Sequence, residues 1–338
     1  MNKPNNHSYN MKQDSILRVG IVGAGRIAGV AANTLNGMND CEAYAIGSRS
    51  LEKAGAFARQ WNIPKAYGSY AELIADPDVD LIYVATPHSH HYDVTREAIL
   101  AGKPCLVEKA FMANLRQAKE IVELAHEHRV FLAEAIWTRY QPVVGIVRQL
   151  IADGRIGQPR LITATLGYNM MHKERIFRPD LCGGALLDVG VYALNFVRMF
   201  TDAPIVSMDG RCVKSDTGMD LTNAITMILQ DGLMANVQSS AACVGDNTGV
   251  IAGPEGNIVI DNINNPQRVT VNKRDRVFDE EIRVPQQITG YEYQFSACRK
   301  ALIDGLLEPR EMPHQETLYI MQLMDQLRAE WGVRYPMD

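Results

Sequence analysis

The chain has 338 residues, 46% of them hydrophobic and 22% charged, with a formal net charge of -5. That is enough chain for two domains of ordinary size with a globular enzyme's composition, and its mild acidity argues against a nucleic-acid surface. No apolar run reaches the ~18 residues of a membrane span, and six scattered cysteines without C-x-x-C spacing point to reduced thiols in the cytoplasm, not to a disulfide frame or a zinc site.

Residues 1–15 are polar and Asn-rich with no apolar stretch, so they read as a disordered N-terminal tail and not as a secretory signal. Leu17 to Val22 is an apolar run that stops at Gly23-Ala24-Gly25 and gives way to a helical pattern. The spacing is G-x-G-x-x-A. Gly23 permits the tight turn, Gly25 lets the backbone approach a pyrophosphate, and Ala28 allows close helix–strand packing. Arg26 and Ile27 open the helix, whose N-terminus offers amide donors to an anion. A second strand, Glu42 to Gly47, ends in Ser48-Arg49-Ser50. A carboxylate at this place would hold the ribose 2′-hydroxyl of NAD. Ser48 and Arg49 suit a 2′-phosphate instead, which predicts NADP(H) as the preferred cofactor and NAD(H) as the alternative.

A helix over Ser50 to Gln60, a short one over Ser69 to Ala75 and a buried-type strand over Leu81 to Ala85 follow. The strand runs into Thr86-Pro87-His88-Ser89-His90-His91. Three close histidines invite a metal, but no acidic or Cys ligand stands at ligand spacing, so no metal is expected. Thr86, Pro87 and His91 are expected on the cofactor side, with His91 starting the next helix. Cys105 to Val107 is a strand that delivers Glu108 and Lys109 to its carboxyl end, where an α/β sheet binds its ligand. Asn114 caps a helix with an apolar stripe from Leu115 to Ala125, and Val130 to Glu134 is the last strand of this half. The alternation predicts a doubly wound parallel Rossmann sheet over 16–136.

From Trp137 the pattern changes. A helix runs from Pro142 to about Asp153, a strand over Leu161 to Gly167, and Gly183-Gly184 leads through Asp188 and Tyr192 to Asn195 as a loop entering a helix. Strands are expected over Ile205–Val213, Leu221–Leu229, Leu233–Ser240, Ile258–Asp261, Val269–Val271 and Val277–Val284, with Asp231-Gly232 as a hairpin turn. Helices over Tyr291–Leu307 and Gln315–Trp331 close the chain. Residues 137–338 therefore read as one α+β domain on a large, mostly antiparallel open sheet.

Gly23-x-Gly25-x-x-Ala28, Ala85-Thr86-Pro87-x-x-x-His91, Glu108-Lys109 and Asp188-x-Gly190-x-Tyr192-x-x-Asn195 together resemble the glucose–fructose oxidoreductase / inositol dehydrogenase / MocA family. The likeness runs from about Leu17 to Pro336. Glu134 to Pro142, the Gly183–Tyr192 loop and the tail from Trp331 to Pro336 look most like its dihydrodiol dehydrogenase and NADP D-xylose dehydrogenase branch. The resemblance implies direct hydride transfer between NADP and a sugar or cyclic diol. It also implies a second domain whose open sheet meets another subunit, giving a homodimer or homotetramer. Ala110 stands where the family usually has proline, beside Lys109. Many members carry histidine at the position of Tyr192.

Oxidising a carbinol needs a base for the hydroxyl proton and a hydride acceptor held face-on. Tyr192 is the expected proton acceptor. Lys109 would polarise the substrate oxygen and tune the phenol, and Asp188, one helical turn before Tyr192, would orient Lys109 or accept a substrate hydroxyl. Trp137, Arg139, Phe177 and Asn195 are candidate substrate contacts, although Trp137 reads equally well as packing and Asp188 as a helix N-terminal carboxylate. The motifs leave the substrate open among dihydrodiols, D-xylose, anhydro-sugars and deoxyosones. A sensor of NAD(P) or sugar on the same fold is the runner-up, and it would need neither Lys109 nor Asp188 with Tyr192.

Overall fold

The computed structural model describes residues 11–338, the side chain of Arg276 excepted. Residues 1–10 of the expected tail lie outside the described residues. The described residues divide into two compact units, one of residues 11–137 with 287–321, the other of 138–286 with 322–338.

The first unit alternates strand and helix: β1 (Leu17–Val22), α1 (Arg26–Asn36), β2 (Cys41–Gly47), α2 (Leu51–Trp61), β3 (Lys65–Tyr67), α3 (Tyr70–Ile74), β4 (Leu81–Val84), α4 (His91–Leu100), β5 (Cys105–Glu108), α5 (Leu115–His128) and β6 (Leu132–Ala135). The six strands are parallel, in the order β3-β2-β1-β4-β5-β6. The order reverses beside β1, and in such sheets a ligand lies at the carboxyl ends of the strands at that point. Asn114 caps its helix as expected, and Ser50 and Ser69, read as helical, are caps as well. The side chains of Ser50, Ser69 and Asn114 accept from the backbone N–H three residues on, each satisfying a donor the helix leaves open.

The second unit holds α6 (Pro142–Ala152), β7 (Leu161–Gly167), α7 (Val191–Met199), β8 (Ile205–Lys214), β9 (Asp220–Leu229), β10 (Met234–Ser240), β11 (Gly249–Gly253), β12 (Gly256–Ile260), β13 (Arg268–Lys273) and β14 (Phe278–Arg283). These eight strands run β14-β13-β12-β11-β7-β10-β9-β8, all antiparallel neighbours except the parallel β7–β10 pair. Alternate residues such as Ile225, Met227, Ala235 and Val237 are buried, and α7 packs on that face. Every residue of α7 is buried. Gly249 is required there, because a Cβ would lie 2.2 Å from the Phe196 ring. Pro179–Met199 is long and apolar enough to cross a membrane by composition, contrary to the expectation from the sequence, but 89% of that stretch is buried inside the protein. It is a core segment of this unit.

The boundary drawn at 137–338 needs correction, because residues 287–321 belong to the first unit. Helix α8 (Glu292–Ile303) puts Phe295, Cys298, Ala301 and Leu302 into the same core as Leu17, Val19 and Tyr83. The last helix, α9 (His314–Trp331), crosses the division after Met321. Residues 11–15 are also ordered against expectation: Met11 joins that core, and the Arg299 Nε donates to the Ser15 carbonyl at 3.2 Å. Strands β3 and β11 were not foreseen.

Candidate active site

In the first unit the turn after β1 is built as its glycines require. Gly23 has φ +101, and a Cβ there would stand 2.9 Å from the Ala85 carbonyl oxygen. Gly25 precedes α1 in extended backbone with no side chain capping the helix. Nothing lies within 4 Å of where its Cβ would be. The α1 N-terminus is thus reachable through an open-faced glycine, and its first residues are the exposed Arg26 and half-buried Ile27. Ser48 is buried at the end of β2, and its N–H donates to the Tyr67 carbonyl at 3.2 Å. Arg49 is exposed, and Ser50 is occupied as the cap of α2. The Thr86 hydroxyl at the end of β4 is buried without a hydrogen-bond partner among the described residues, while Pro87 is exposed. An uncapped helix start, an exposed guanidinium and an orphaned hydroxyl, all at strand carboxyl ends, suit a dinucleotide phosphate.

His91 starts α4 as expected. Its ring is wholly buried, with Nε2 at 2.9 Å from the Thr86 carbonyl and Nδ1 at 3.1 Å from those of Ala110 and Phe111. Burial pulls the imidazole below its ordinary value, and the three carbonyls oppose that. His91 therefore ties the end of β4 to the segment after β5, with both ring nitrogens held by backbone carbonyls. Glu108 is buried and accepts a hydrogen bond from the Tyr83 hydroxyl. Lys109 follows, half-buried, and the Lys109–Ala110 peptide bond is cis. The buried Trp137 stacks on Tyr291 with centroids 4.0 Å apart and planes at 10°. This is the packing role for that ring face.

In the second unit the Gly183-Gly184 turn leads into a wide helical turn over Leu186–Gly190 with i→i+5 bonding, and then into α7. The spacing of Asp188 and Tyr192 is thus not that of a regular α-turn, although both are buried. Asp188 Oδ2 accepts from Arg175 Nη2 at 2.6 Å, with Asp188 6% and Arg175 38% exposed. Arg175 was missed, because nothing in its charged turn marks it as a partner for a residue beyond the glycines. Asn195 is wholly buried, its Nδ2 donating to the Val191 carbonyl at 2.8 Å and its Oδ1 accepting from Arg139 Nη1 at 3.1 Å. Its amide is thus committed to the buried Arg139 guanidinium and to the backbone of its own helix. Phe177 is half-buried, at the end of the turn that holds Arg175.

The structure thus gathers Gly23, Gly25, Ser48, Arg49, Thr86, Glu108 and Lys109 in the first unit. Asp188, Tyr192, Arg139, Asn195 and Phe177 fall in the second. Residues 17–135 match the oxidoreductase family with an NAD-binding Rossmann fold, and residues 145–259 match the GFO/IDH/MocA C-terminal domain. The chain is 36% identical over 326 residues to a trans-1,2-dihydrobenzene-1,2-diol dehydrogenase of Xenopus laevis, covering 94% of this chain and 98% of that protein. It is 32% identical over 337 residues to the Mus musculus protein of the same name, covering 95% and 99%. A crystal structure of a 3-ketoreductase from Actinomadura kijaniata in complex with NADP and TDP-benzene matches with a TM-score of 0.83 at 25% identity, over 93% of this chain and 98% of that one.

Proposed function

The chain belongs to the GFO/IDH/MocA oxidoreductase family, and from that premise we propose that it is an NADP-dependent dehydrogenase or reductase acting on a carbinol or carbonyl of a vicinal cyclic diol or a sugar. The observation that carries this reading is the presence in one chain of Lys109 at the end of β5 with Asp188 and Tyr192 at the head of α7. A sensor of cofactor or sugar has no use for that set.

When bound, the nicotinamide accepts or supplies the hydride. The protein's part is proton handling and orientation. In oxidation the Tyr192 phenolic oxygen takes the hydroxyl proton, and the Lys109 ammonium donates to the same substrate oxygen and favours the phenolate. Asp188, charge-balanced by Arg175, accepts a neighbouring substrate hydroxyl and so fixes which carbinol is presented. In reduction Tyr192 returns the proton. Arg49 binds the 2′-phosphate, and the Gly23–Gly25 turn takes the pyrophosphate. A second copy covers the outer face of the eight-stranded sheet, and the cytoplasm is the working compartment.

The test is turnover of trans-1,2-dihydrobenzene-1,2-diol and of D-xylose with NADP+, for wild type and Tyr192→Phe. Turnover of either substrate, reduced about 10²–10⁴-fold in the variant, is the expected result for loss of a proton-transfer group. Equal rates in wild type and variant would remove Tyr192 from the mechanism, and no turnover beside intact NADPH binding would favour the sensor.

A further inference from the structure

The glycine turn that introduces Asp188 and Tyr192 is held at both ends by side chains from elsewhere in the second unit. The first amide of the wide helical turn, Leu186 N–H, is a donor that no carbonyl in its own helix can reach. Asp220, at the start of β9 and wholly buried, accepts it on Oδ2 at 2.8 Å. The same oxygen accepts from Asn223 Nδ2 at 3.0 Å, and the Ser239 hydroxyl donates to Asn223 Oδ1 at 2.8 Å. At the other end the Tyr335 hydroxyl donates to the Gly183 carbonyl at 2.8 Å. Tyr335 lies in the segment after α9, which is itself fastened: Arg328 Nη1 donates to Asp338 Oδ2 at 2.9 Å, and the Tyr335 N–H donates to that oxygen at 2.9 Å.

The glycines show how tightly these parts meet. Gly184 has φ +107, and a Cβ on it would lie 2.4 Å from Asp220 Oδ1. On Gly183 a Cβ would lie 2.5 Å from the carbonyl oxygens of Arg175 and Ile176, so the turn also rests on the backbone of the residue that pairs with Asp188. Asp220 and Tyr335 touch neither Asp188 nor Tyr192 through any of these bonds. They fix the backbone from which both side chains project.

We propose that Asp220 and Tyr335 are positioning residues for the reaction, setting the Gly183–Leu186 turn and through it the placement of Asp188 and Tyr192. The proposal rests on the catalytic reading of those two residues given above. Misplacing a reacting group by about an ångström can cost on the order of a hundredfold in rate, so loss of one anchor is expected to lower kcat at least about tenfold. The cofactor-binding turn is in the other unit, so NADPH affinity is expected to stay within about twofold of wild type, since no cofactor contact is removed.

The experiment compares wild type, Tyr335→Phe, Asp220→Ala and Asp220→Asn. Each is assayed for kcat with trans-1,2-dihydrobenzene-1,2-diol and D-xylose, for the dissociation constant of NADPH by fluorescence, and for hydrogen–deuterium exchange along the chain. Tyr335→Phe removes one hydroxyl from an otherwise unchanged ring. Asp220→Asn keeps an oxygen able to accept both bonds, so it should recover most of what Asp220→Ala loses. The expected result is a lower kcat in Tyr335→Phe and Asp220→Ala at unchanged NADPH affinity, with faster exchange confined to about residues 183–192. Unchanged kcat in both would overturn the proposal. So would a loss spread equally over kcat, NADPH affinity and exchange throughout the second unit, which is what a merely structural role gives. If wild type turns over neither substrate, or Tyr192→Phe matches it, the catalytic reading fails. The exchange at residues 183–192 then still decides whether the two anchors hold the turn.

Discussion

Arg49 is exposed at the carboxyl end of β2, on the strand next to the one that runs into the glycine turn. A guanidinium there offers two parallel donors to a phosphate and nothing comparable to a bare ribose. Hydrogen bonds to charged groups contribute about 1.5–3 kcal/mol each, so Arg49→Ala should weaken NADPH binding by about tenfold to a hundredfold. NADH, without the 2′-phosphate, should bind the variant as it binds wild type. Fluorescence titration of both cofactors on both proteins checks this, and equal wild-type affinity for the two would refute the 2′-phosphate assignment. At the same scale, His91 and Asn195 show a limit of reading residues by type. A polar side chain near a motif can face the ligand or brace the backbone behind it. Here each has its polar atoms committed inside the protein, and only coordinates reveal that.

Among the elements, the first sheet was readable because each strand is a short apolar run ending at turn residues, and the repeat of strand and helix admits one architecture. The omissions have local causes. β3 has three residues, all half-buried, too few to show alternation, and β11 is bounded by Gly249 and Gly253, which read as loop. The apolar stripe of α8 says that a face is buried but not against which core. The candidate residues at the ends of β1, β4 and β5 could be named from sequence because the proposed chemistry calls for particular residue types there. Arg175, Asp220 and Tyr335 were hidden because their meaning lies in partners far away in sequence. Asp220 also carries a pH signature. Burial, against the bonds from Asn223 and Leu186, pushes its carboxyl from 3.8 up to about 6, so the folded state holds this proton more tightly than the unfolded chain. Its contribution to stability is then full below about pH 4 and is lost as pH rises through about 6. Between pH 7 and pH 5 wild type should gain about 1 kcal/mol relative to Asp220→Asn. Urea unfolding of both proteins at the two pH values measures this, and a constant difference would mean that Asp220 is not shifted.

At the scale of the molecule, the outer face of the eight-stranded sheet carries an apolar cluster where β7 and β10 begin and β9 ends, beside the Asp231-Gly232 turn. Register places Met234 between Leu161 and Ile228, and the three are 41%, 37% and 41% exposed. The neighbouring outward positions on these strands are Thr163, Asn236 and Thr226, and charges such as Asp209, Arg211 and Glu281 lie on the edge strands. An antiparallel sheet that keeps one face in water ordinarily makes that face polar, and a contiguous apolar patch with a polar rim is what a partner surface looks like. A second copy of the same face is the cover proposed above, since a two-fold axis would let one patch serve both sides. Burying one such side chain stabilises association by about 1.5–3 kcal/mol, and a two-fold repeat counts each position twice. Ile228→Lys would place an ammonium group from each copy in the proposed contact. The expected outcome by light scattering after gel filtration is a wild-type dimer or tetramer and an Ile228→Lys protein of lower mass, with unchanged circular dichroism and NADPH binding. The affinity between subunits should fall by at least about a hundredfold. A wild type that is monomeric at tens of micromolar, or a variant that keeps the wild-type mass, would show that this face is not where the chains meet.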